Sequence, residues 1–330
     1  METIVKLYFG VDVGSQELVM SQGVQTMTPK FIKLTTEKIK NEMSSINVWI
    51  ESLPSNAHII FESTGNYSLP LAYCLELAEI PFSILTPLQS KGFAQTMKVS
   101  TRTDEVDASL LALYGANYHP ENTVLESESL HQLKQKRKHL SSLMSQRGVV
   151  DNQLHALTFD KKADPKVLQS LTLIQTTLQI QIKEFTDEIF TLTQAEYQHI
   201  YQLMTSIVGI GEVSANSIII ATNGLENFQN SKQLVKFFGL APRIKESGKS
   251  VNQKFGIGKS GVGFVRATLY NAAKAAKRFN LACKELYERL RSKGKCHKVA
   301  MVAVMAKLVR QVFAVVKSNT AFDNKFQLAK

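Results

Sequence analysis

Val5-Lys6-Leu7-Tyr8-Phe9-Gly10-Val11-Asp12 is a short apolar run that closes on a carboxylate. Gly14 follows it, which is the pattern of a strand entering a turn. Residues 17–21 and 30–34 read as two further strands, with Gly14 and Gly23 at the turns. Residues 36–53 read as a helix stopped by Pro54. His58-Ile59-Ile60-Phe61-Glu62 then repeats the opening theme, a second apolar run ending on an acid. Residues 67–78 read as a helix, residues 82–85 as a strand ahead of Pro87, and a helix is expected from about Thr103 to Tyr118.

Three antiparallel-looking strands followed by alternating helix and strand predict a mixed α/β layer. This is the element order of an RNase H-like sheet, in which strand ends carry metal-binding acids. Asp12 and Glu62 end such strands, and Asp104 and Asp107 stand three apart on one helix face. Oxygen-rich clusters of this kind bind Mg²⁺, and paired divalent ions cut or join phosphodiester bonds. Each acid alone has a plainer reading. Many strands end in Asp or Glu, and Asp104 and Asp107 suit the first turn of any helix, where negative charge is favourable.

The chain has 330 residues and 44% hydrophobic content, enough for two or three packed domains. Cys74, Cys283 and Cys296 are odd in number and scattered, matching neither a disulfide framework nor a zinc site. Cys74 reads as core. There is no signal-peptide pattern, and no apolar run reaches the roughly 18 residues of a membrane span. The expectation is a soluble intracellular protein without a membrane partner. Net charge is +11, unevenly spread: residues 1–200 carry 17 Lys+Arg against 22 Asp+Glu, and residues 201–330 carry 22 against 6. A one-sided basic region points to a polyanion, nucleic acid above all. A lysine-rich solvated surface is the bland alternative.

From about Ser129 to Thr193 glycine is rare. Leu171, Ile174, Leu178, Ile182, Phe185, Ile189 and Leu192 recur at spacings of three and four. That is an a/d-like seam, and the segment reads as a long antiparallel helical hairpin broken at residues 160–165. Two ordinary packed helices explain the spacing equally well. Farther on, Ile207-Val208-Gly209-Ile210-Gly211 precedes an apolar helix over residues 213–221. This resembles a helix-hairpin-helix element, whose backbone amides at Gly209 and Gly211 would hold a phosphate; a plain turn is nearly as good a reading. Residues 241–263 read as a Gly-, Ser- and Lys-rich loop, and helices are expected over 264–278, 281–291 and 296–316.

In Pro242-Arg243-Ile244-Lys245-Glu246-Ser247-Gly248-Lys249-Ser250 a serine sits in a basic, glycine-flanked segment. Such a serine suits nucleophilic attack on a phosphodiester, with Arg243, Lys245 and Lys249 balancing the developing charge. Spacing alone favours a phosphate-touching loop with no covalent role. Gly248-Lys249-Ser250 and Gly258-Lys259-Ser260 each end like a P-loop but lack its first glycine. The seven histidines show no zinc-protease pattern.

Taken in order, several of these motifs resemble the DEDD insertion-sequence transposases, including the bridge-RNA-guided recombinases and the related Piv pilin-gene invertases. The resemblance rests on residues 10–15, 61–67 and 103–108 at the front. At the back it rests on 207–211, 238–243, 246–248 and 256–259. It implies a RuvC-like domain over 1–125, a coiled-coil connector over 126–200 and a mainly α, basic C-terminal domain over 201–330. It implies that Asp12, Glu62, Asp104 and Asp107 hold Mg²⁺ or Mn²⁺ and that Ser247 is the nucleophile, with Ser250 and Ser260 as rivals. Contacts from Lys259 and Arg266 to nucleic acid, donor and target DNA, a structured guide RNA and a dimer or tetramer are likewise implied. So is a cytoplasmic, nucleoid-associated setting in a prokaryote. Gly256-Ile257-Gly258-Lys259-Ser260-Gly261 departs from the family's Gly-Ile-Ser-Lys-Arg-Gly.

Overall fold

The computed structural model describes residues 6–247, 251–258 and 261–325. The chain divides into two compact units, one ending at Glu126 and the other beginning at Ser127.

The first unit is a five-stranded mixed sheet with helices. Its strands are β1 (Leu7–Val13), β2 (Glu17–Ser21), β3 (Thr36–Lys40), β4 (Ala57–Glu62) and β5 (Phe82–Leu85), in spatial order β3-β2-β1-β4-β5. β1, β2 and β3 pair antiparallel, whereas β1, β4 and β5 pair parallel. The helices are α1 (Met43–Glu51), α2 (Leu69–Leu77), α3 (Pro87–Thr96) and α4 (Asp104–Tyr118).

Strand alternation decides which face each side chain joins. Val11 and Val13 of β1, with Ile59 and Phe61 of β4, pack with Ile46 and Trp49 of α1 and Leu71 and Leu75 of α2. Tyr8 and Ile60 point the other way and pack with Leu111 and Ala116 of α4. Asp12 and Glu62 share the parity of Tyr8 and Ile60, so they fall on the α4 side. Gly10 lets α4 lie flush on that face. A Cβ there would stand 2.0 Å from the Ala108 carbonyl oxygen and 2.4 Å from the Ala112 nitrogen.

The expected strand at 30–34 and helix at 36–53 are corrected. Thr36-Glu37-Lys38-Ile39-Lys40 alternates and pairs with β2, and only residues 43–51 are helical. Asn41 makes the break: its amide bonds the Gln16 carbonyl, and its Nδ2 donates to Gly14 and Tyr67 carbonyls at 2.9 Å. Helix α3 was not foreseen. Pro87 reads as a stop, but here it occupies the first turn behind Thr86, which forms a capping box with Gln89.

The second unit is mostly helical. α5 (Glu128–Leu157) and α6 (Pro165–Thr205) run antiparallel, tied by Ser129–Glu196, Lys136–Glu188 and Gln175–Asp151 contacts. Of the seven expected seam residues, Leu178 and Ile189 are buried, while Ile174 and Leu192 are exposed. There follow α7 (Glu212–Thr222), α8 (Ser231–Phe237), β6 (Pro242–Ser247), β7 (Val251–Ile257), α9 (Gly263–Phe279), α10 (Leu281–Ser292) and α11 (His297–Ser318).

Residues 241–263 are therefore not a plain loop. β6 and β7 pair antiparallel, with Ser247 opposite Val251 and an irregularity between Pro242 and Ile244. Glycine and serine hid the strand pattern from the sequence. α11 corrects another expectation. By length and composition alone it is long and apolar enough to cross a membrane. Here Met301, Val304, Leu308, Val309 and Val312 are fully buried against α9 and other helices, so it acts as the unit's core helix.

Candidate active site

Three elements of the first unit bring carboxylates to one place. Val11 of β1 pairs with Phe61 of β4, so the next step of register sets Asp12 beside Glu62 at the strand ends. α4 begins close by. Thr103 is its N-cap and accepts from the Val106 amide, leaving Asp104, Glu105 and Asp107 in the first turn. Asp12, Glu62 and Asp107 line one cavity of about 20 Å³ together with Ser90, Arg102 and Tyr114. That is room for about one water or one small ion. Asp104 is exposed and outside the lining, but its charge reaches Asp12.

The crowding has an electrostatic cost. Burial foremost, and then the charges of Asp107, Asp104 and Glu62, push Asp12 up to about 6 against the pull of Arg102. Burial also raises Asp107, while Arg102 holds it down. Arg102 Nε stands 2.7 Å from Asp107 Oδ1. Ser90 Oγ donates to Glu62 Oε2, a charge-assisted bond.

The donors fit a hard divalent cation, being all oxygen and mutually repelling. An ion in the cavity would relieve the repulsion that now raises Asp12. As the side chains stand, however, no group of three His, Cys, Asp or Glu among the described residues is close enough to hold a metal ion. The carboxylates share a cavity without closing a ligand set, and the guanidinium of Arg102 occupies part of the space beside Asp107.

Sequence reading missed Ser90 and Arg102. Ser90 lies on the unforeseen α3, so nothing marked it. Arg102 sits five residues before Asp107 just ahead of the helix cap, and a basic residue so near an acidic pair was the available signal.

The remaining expected residues belong to the second unit. Gly209 has φ +106°, and a Cβ there would come within 2.7 Å of the Ala276 Cβ, so the turn needs glycine for its own packing. Gly211 is the N-cap of α7, faces open space and leaves the helix without a side-chain cap. Arg266 spends Nη1 on the Phe238 carbonyl at 3.2 Å. Arg243, Lys245 and Ser247 lie on β6 by backbone pairing. Lys249 and Lys259, with the rival serines Ser250 and Ser260, lie outside the described residues.

Two family models match the chain. One, described as a transposase of the DEDD IS110 type, matches residues 9–158. The other, described as the IS116/IS110/IS902 transposase family, matches residues 201–288. The chain is 29% identical to the pilin gene-inverting protein of Moraxella bovis over 302 residues, covering 85% of this chain and 87% of that protein. The Moraxella lacunata counterpart is also 29% identical, over 303 residues with the same coverage. An uncharacterized IS110 protein of Streptomyces coelicolor is 24% identical over 123 residues, 37% of this chain and 30% of that one. Among solved structures, T. thermophilus RuvC in complex with a Holliday junction substrate matches at 16% identity. It covers 34% of this chain and 94% of RuvC, with a TM-score of 0.26. The two family models lie in chain order, one over the strand-borne acids and α4, the other over the turn and helices of the basic region. The chain belongs to the IS110-type family of insertion-element transposases, enzymes that act on DNA.

Proposed function

We propose that this protein is a divalent-metal-dependent DNA recombinase of an insertion sequence that cuts and rejoins strands through a phosphoserine. The single observation that carries the metal half is the gathering of Asp12, Glu62 and Asp107 around one cavity, with Asp104 beside it. The strand order supports reading this unit as RuvC-like, of the RNase H type. Mg²⁺ or Mn²⁺ held by the four acids would neutralise charge on the scissile phosphate. Ser90 orients Glu62 for that task, and Arg102 would give up Asp107 to the ion.

Ser247 is the proposed nucleophile, supported by its place between Pro242-Arg243 and Gly248 in the motif order of the family. Its hydroxyl loses a proton and its Oγ bonds phosphorus as the phosphodiester releases a sugar hydroxyl. A hydroxyl of the second strand then attacks the same phosphorus and releases the serine. No bond energy is lost, so the product is joined DNA. Arg243, Lys245, Lys249, Lys259 and Arg266 contact phosphates in this reading. The amides around Gly209 and Gly211 do so as a helix-hairpin-helix element. The paired helices over 126–200 serve as a coiled-coil connector ahead of the basic domain over 201–330. A structured guide RNA, donor and target DNA, a dimer or tetramer, and a place on the nucleoid complete the proposal.

The test is a suicide substrate that traps the covalent adduct, followed by mapping of the linked residue. Ser247→Ala is expected to abolish the adduct. An adduct that survives in Ser247→Ala refutes the serine assignment, and hydrolysis with no adduct at all favours a Holliday-junction resolvase-like nuclease. Similarity to two pilin gene-inverting proteins along 85% of the chain supports a second reading, inversion of a chromosomal segment. A plasmid with two inverted sites separates the readings, because an invertase flips the interval and leaves no inserted copy elsewhere.

A further inference from the structure

The open stripe of α4 joins the acids to an aromatic cluster. Past its first turn this helix is buried almost all round, and only Tyr114, Asn117 and Tyr118 reach solvent. Asp107, Tyr114 and Tyr118 stand at i, i+7 and i+11, which is one face of a helix. Tyr114 lines the same cavity as Asp12, Glu62 and Asp107. Tyr118 lies one turn farther on, roughly 16 Å from Asp107 along the helix axis. It is 57% exposed.

Contacts beneath the two rings hold them in place. Phe93 of α3 is buried and meets both at steep angles, with ring centres 5.4 Å from Tyr114 and 5.7 Å from Tyr118. The two tyrosine rings are 4.8 Å apart and tilted by 37°. The Gln89 amide reaches the Tyr114 hydroxyl at 3.5 Å. Roofing Phe93 accounts for these contacts, yet it leaves more than half of Tyr118 in water. Helices ordinarily turn charged or polar side chains that way. Here an aromatic surface begins at the rim of a carboxylate cavity and continues away from it.

A partner for the whole stripe must bring a group suited to the acids and, a short way along, a flat ring. An apolar peptide has no use for the carboxylates, and an anionic lipid surface is repelled by them. A closed duplex keeps its base faces inside its own stack. An opened DNA strand offers both parts, a phosphate for a cation held by the acids and, a few nucleotides on, an unstacked base. Stacking of bases on aromatic side chains is tolerant of sequence, because every base has a π-face.

We propose that Tyr118, backed by Tyr114, is a stacking platform for an unpaired base of the DNA strand whose phosphate meets the acid cavity. The proposal rests on the reading of the chain as a metal-dependent DNA recombinase. It adds a demand on the substrate: the strand is opened from its duplex beside the phosphate to be cut.

The experiment uses the full chain and fluorescence anisotropy, with Ca²⁺ in place of Mg²⁺ so that strands stay intact. The probes are a twelve-nucleotide thymine strand, an abasic strand of the same length and a thymine–adenine duplex. Wild type is expected to bind the thymine strand about tenfold tighter than the abasic one, equivalent to ~1.4 kcal/mol. Tyr118→Ala should weaken the thymine strand about tenfold and leave the abasic strand within about twofold. Tyr118→Phe and Tyr118→Trp should keep the wild-type preference. A 5-iodouracil strand, irradiated on wild type, should crosslink to Tyr118 or Tyr114. Equal binding of thymine and abasic strands by wild type overturns the platform, as does a Tyr118→Ala variant that weakens both strands alike or neither. Crosslinks confined to other residues overturn it too, and they decide alone if Tyr118→Ala does not fold. Failure of wild type to bind any probe, the duplex included, overturns the recombinase reading and the platform with it; binding without dependence on bases overturns only the platform.

Discussion

Arg102 Nε stands 2.7 Å from Asp107 Oδ1, at the rim of the cavity that Asp12 and Glu62 also line. The guanidinium is the cation of this site as it stands, and it occupies the carboxylate that a divalent ion would use. Arginine and metal therefore compete for Asp107. Arg102→Gln is expected to tighten Mn²⁺ binding several-fold, measured by calorimetry at pH 7.5. Weaker Mn²⁺ binding in the variant would mean that Arg102 presents Asp107 to the ion rather than withholding it.

Asp12 sits at about 6 in the folded chain against an ordinary value of 3.8. Between those values the folded state binds more protons than the unfolded one, so stability falls as pH rises through about 4 to 6. Above 6 the full penalty is present. Asp12→Asn is therefore expected to stabilise the first unit at pH 7.5, without added metal, by about 1–2 kcal/mol after solvent screening. The gain should vanish below about pH 4, where wild-type Asp12 is protonated in both states. Urea unfolding at pH 3.8 and 7.5 gives the comparison. The same variant should lose strand cleavage, since stability and function oppose each other at this residue.

Added Mg²⁺ should reverse that penalty. A cation among the acids neutralises the repulsion that raises Asp12, so wild type is expected to gain thermal stability with Mg²⁺ at pH 7.5. Asp12→Asn should gain less. Equal shifts in both proteins would place the binding ion elsewhere.

Gly10→Ala tests the packing that brings the acids together. The new Cβ would stand 2.0 Å from the Ala108 carbonyl oxygen, which is backbone and cannot rotate away. α4 must lift from β1, and overpacking of this kind costs about 1–3 kcal/mol or more. The expected result is a lower unfolding midpoint together with lost cleavage, because Asp107 moves with α4. Normal activity in Gly10→Ala would show that the helix position is not critical.

Ser90→Ala removes the hydroxyl that donates to Glu62 Oε2. Stability should fall by about 1.5–3 kcal/mol, the worth of one hydrogen bond to a charged group. Cleavage should slow roughly tenfold through loss of orientation, equivalent to ~1.4 kcal/mol in the barrier. DNA affinity measured without metal should stay the same.

The strand pairings explain how far the residues alone could lead. Asp12 and Glu62 close apolar runs, and strand parity puts them with Tyr8 and Ile60 on one face. Both facts follow from a period of two, which is local. Asp107 was marked by its spacing from Asp104, also local. Residues 36–40 were misread because lysine and glutamate suit a helix, and their strand state depends on pairing with β2. α3 was hidden by Pro87, a residue that ends some elements and begins others. Ser90 and its bond to Glu62 were hidden with it.

The second unit shows the same division. Spacing marked the helices over 264–278 and 281–291, and the observed α9 and α10 lie there. Gly209 and Gly211 looked alike in the sequence, yet Gly209 is held by a positive φ and by Ala276, whereas Gly211 opens to space.

By itself the sequence determined the order of elements in the sheet's core, the acids at its strand ends, the helical character of the rest and the one-sided charge. These depend on period, composition and spacing, which neighbours along the chain decide. Only the tertiary structure decided that α4 lies flush on Gly10 and that Arg102 stands on Asp107. It likewise decided that burial, with the neighbouring carboxylates, holds Asp12 near 6. Those depend on residues distant in sequence meeting at short range, where burial and charge act most strongly.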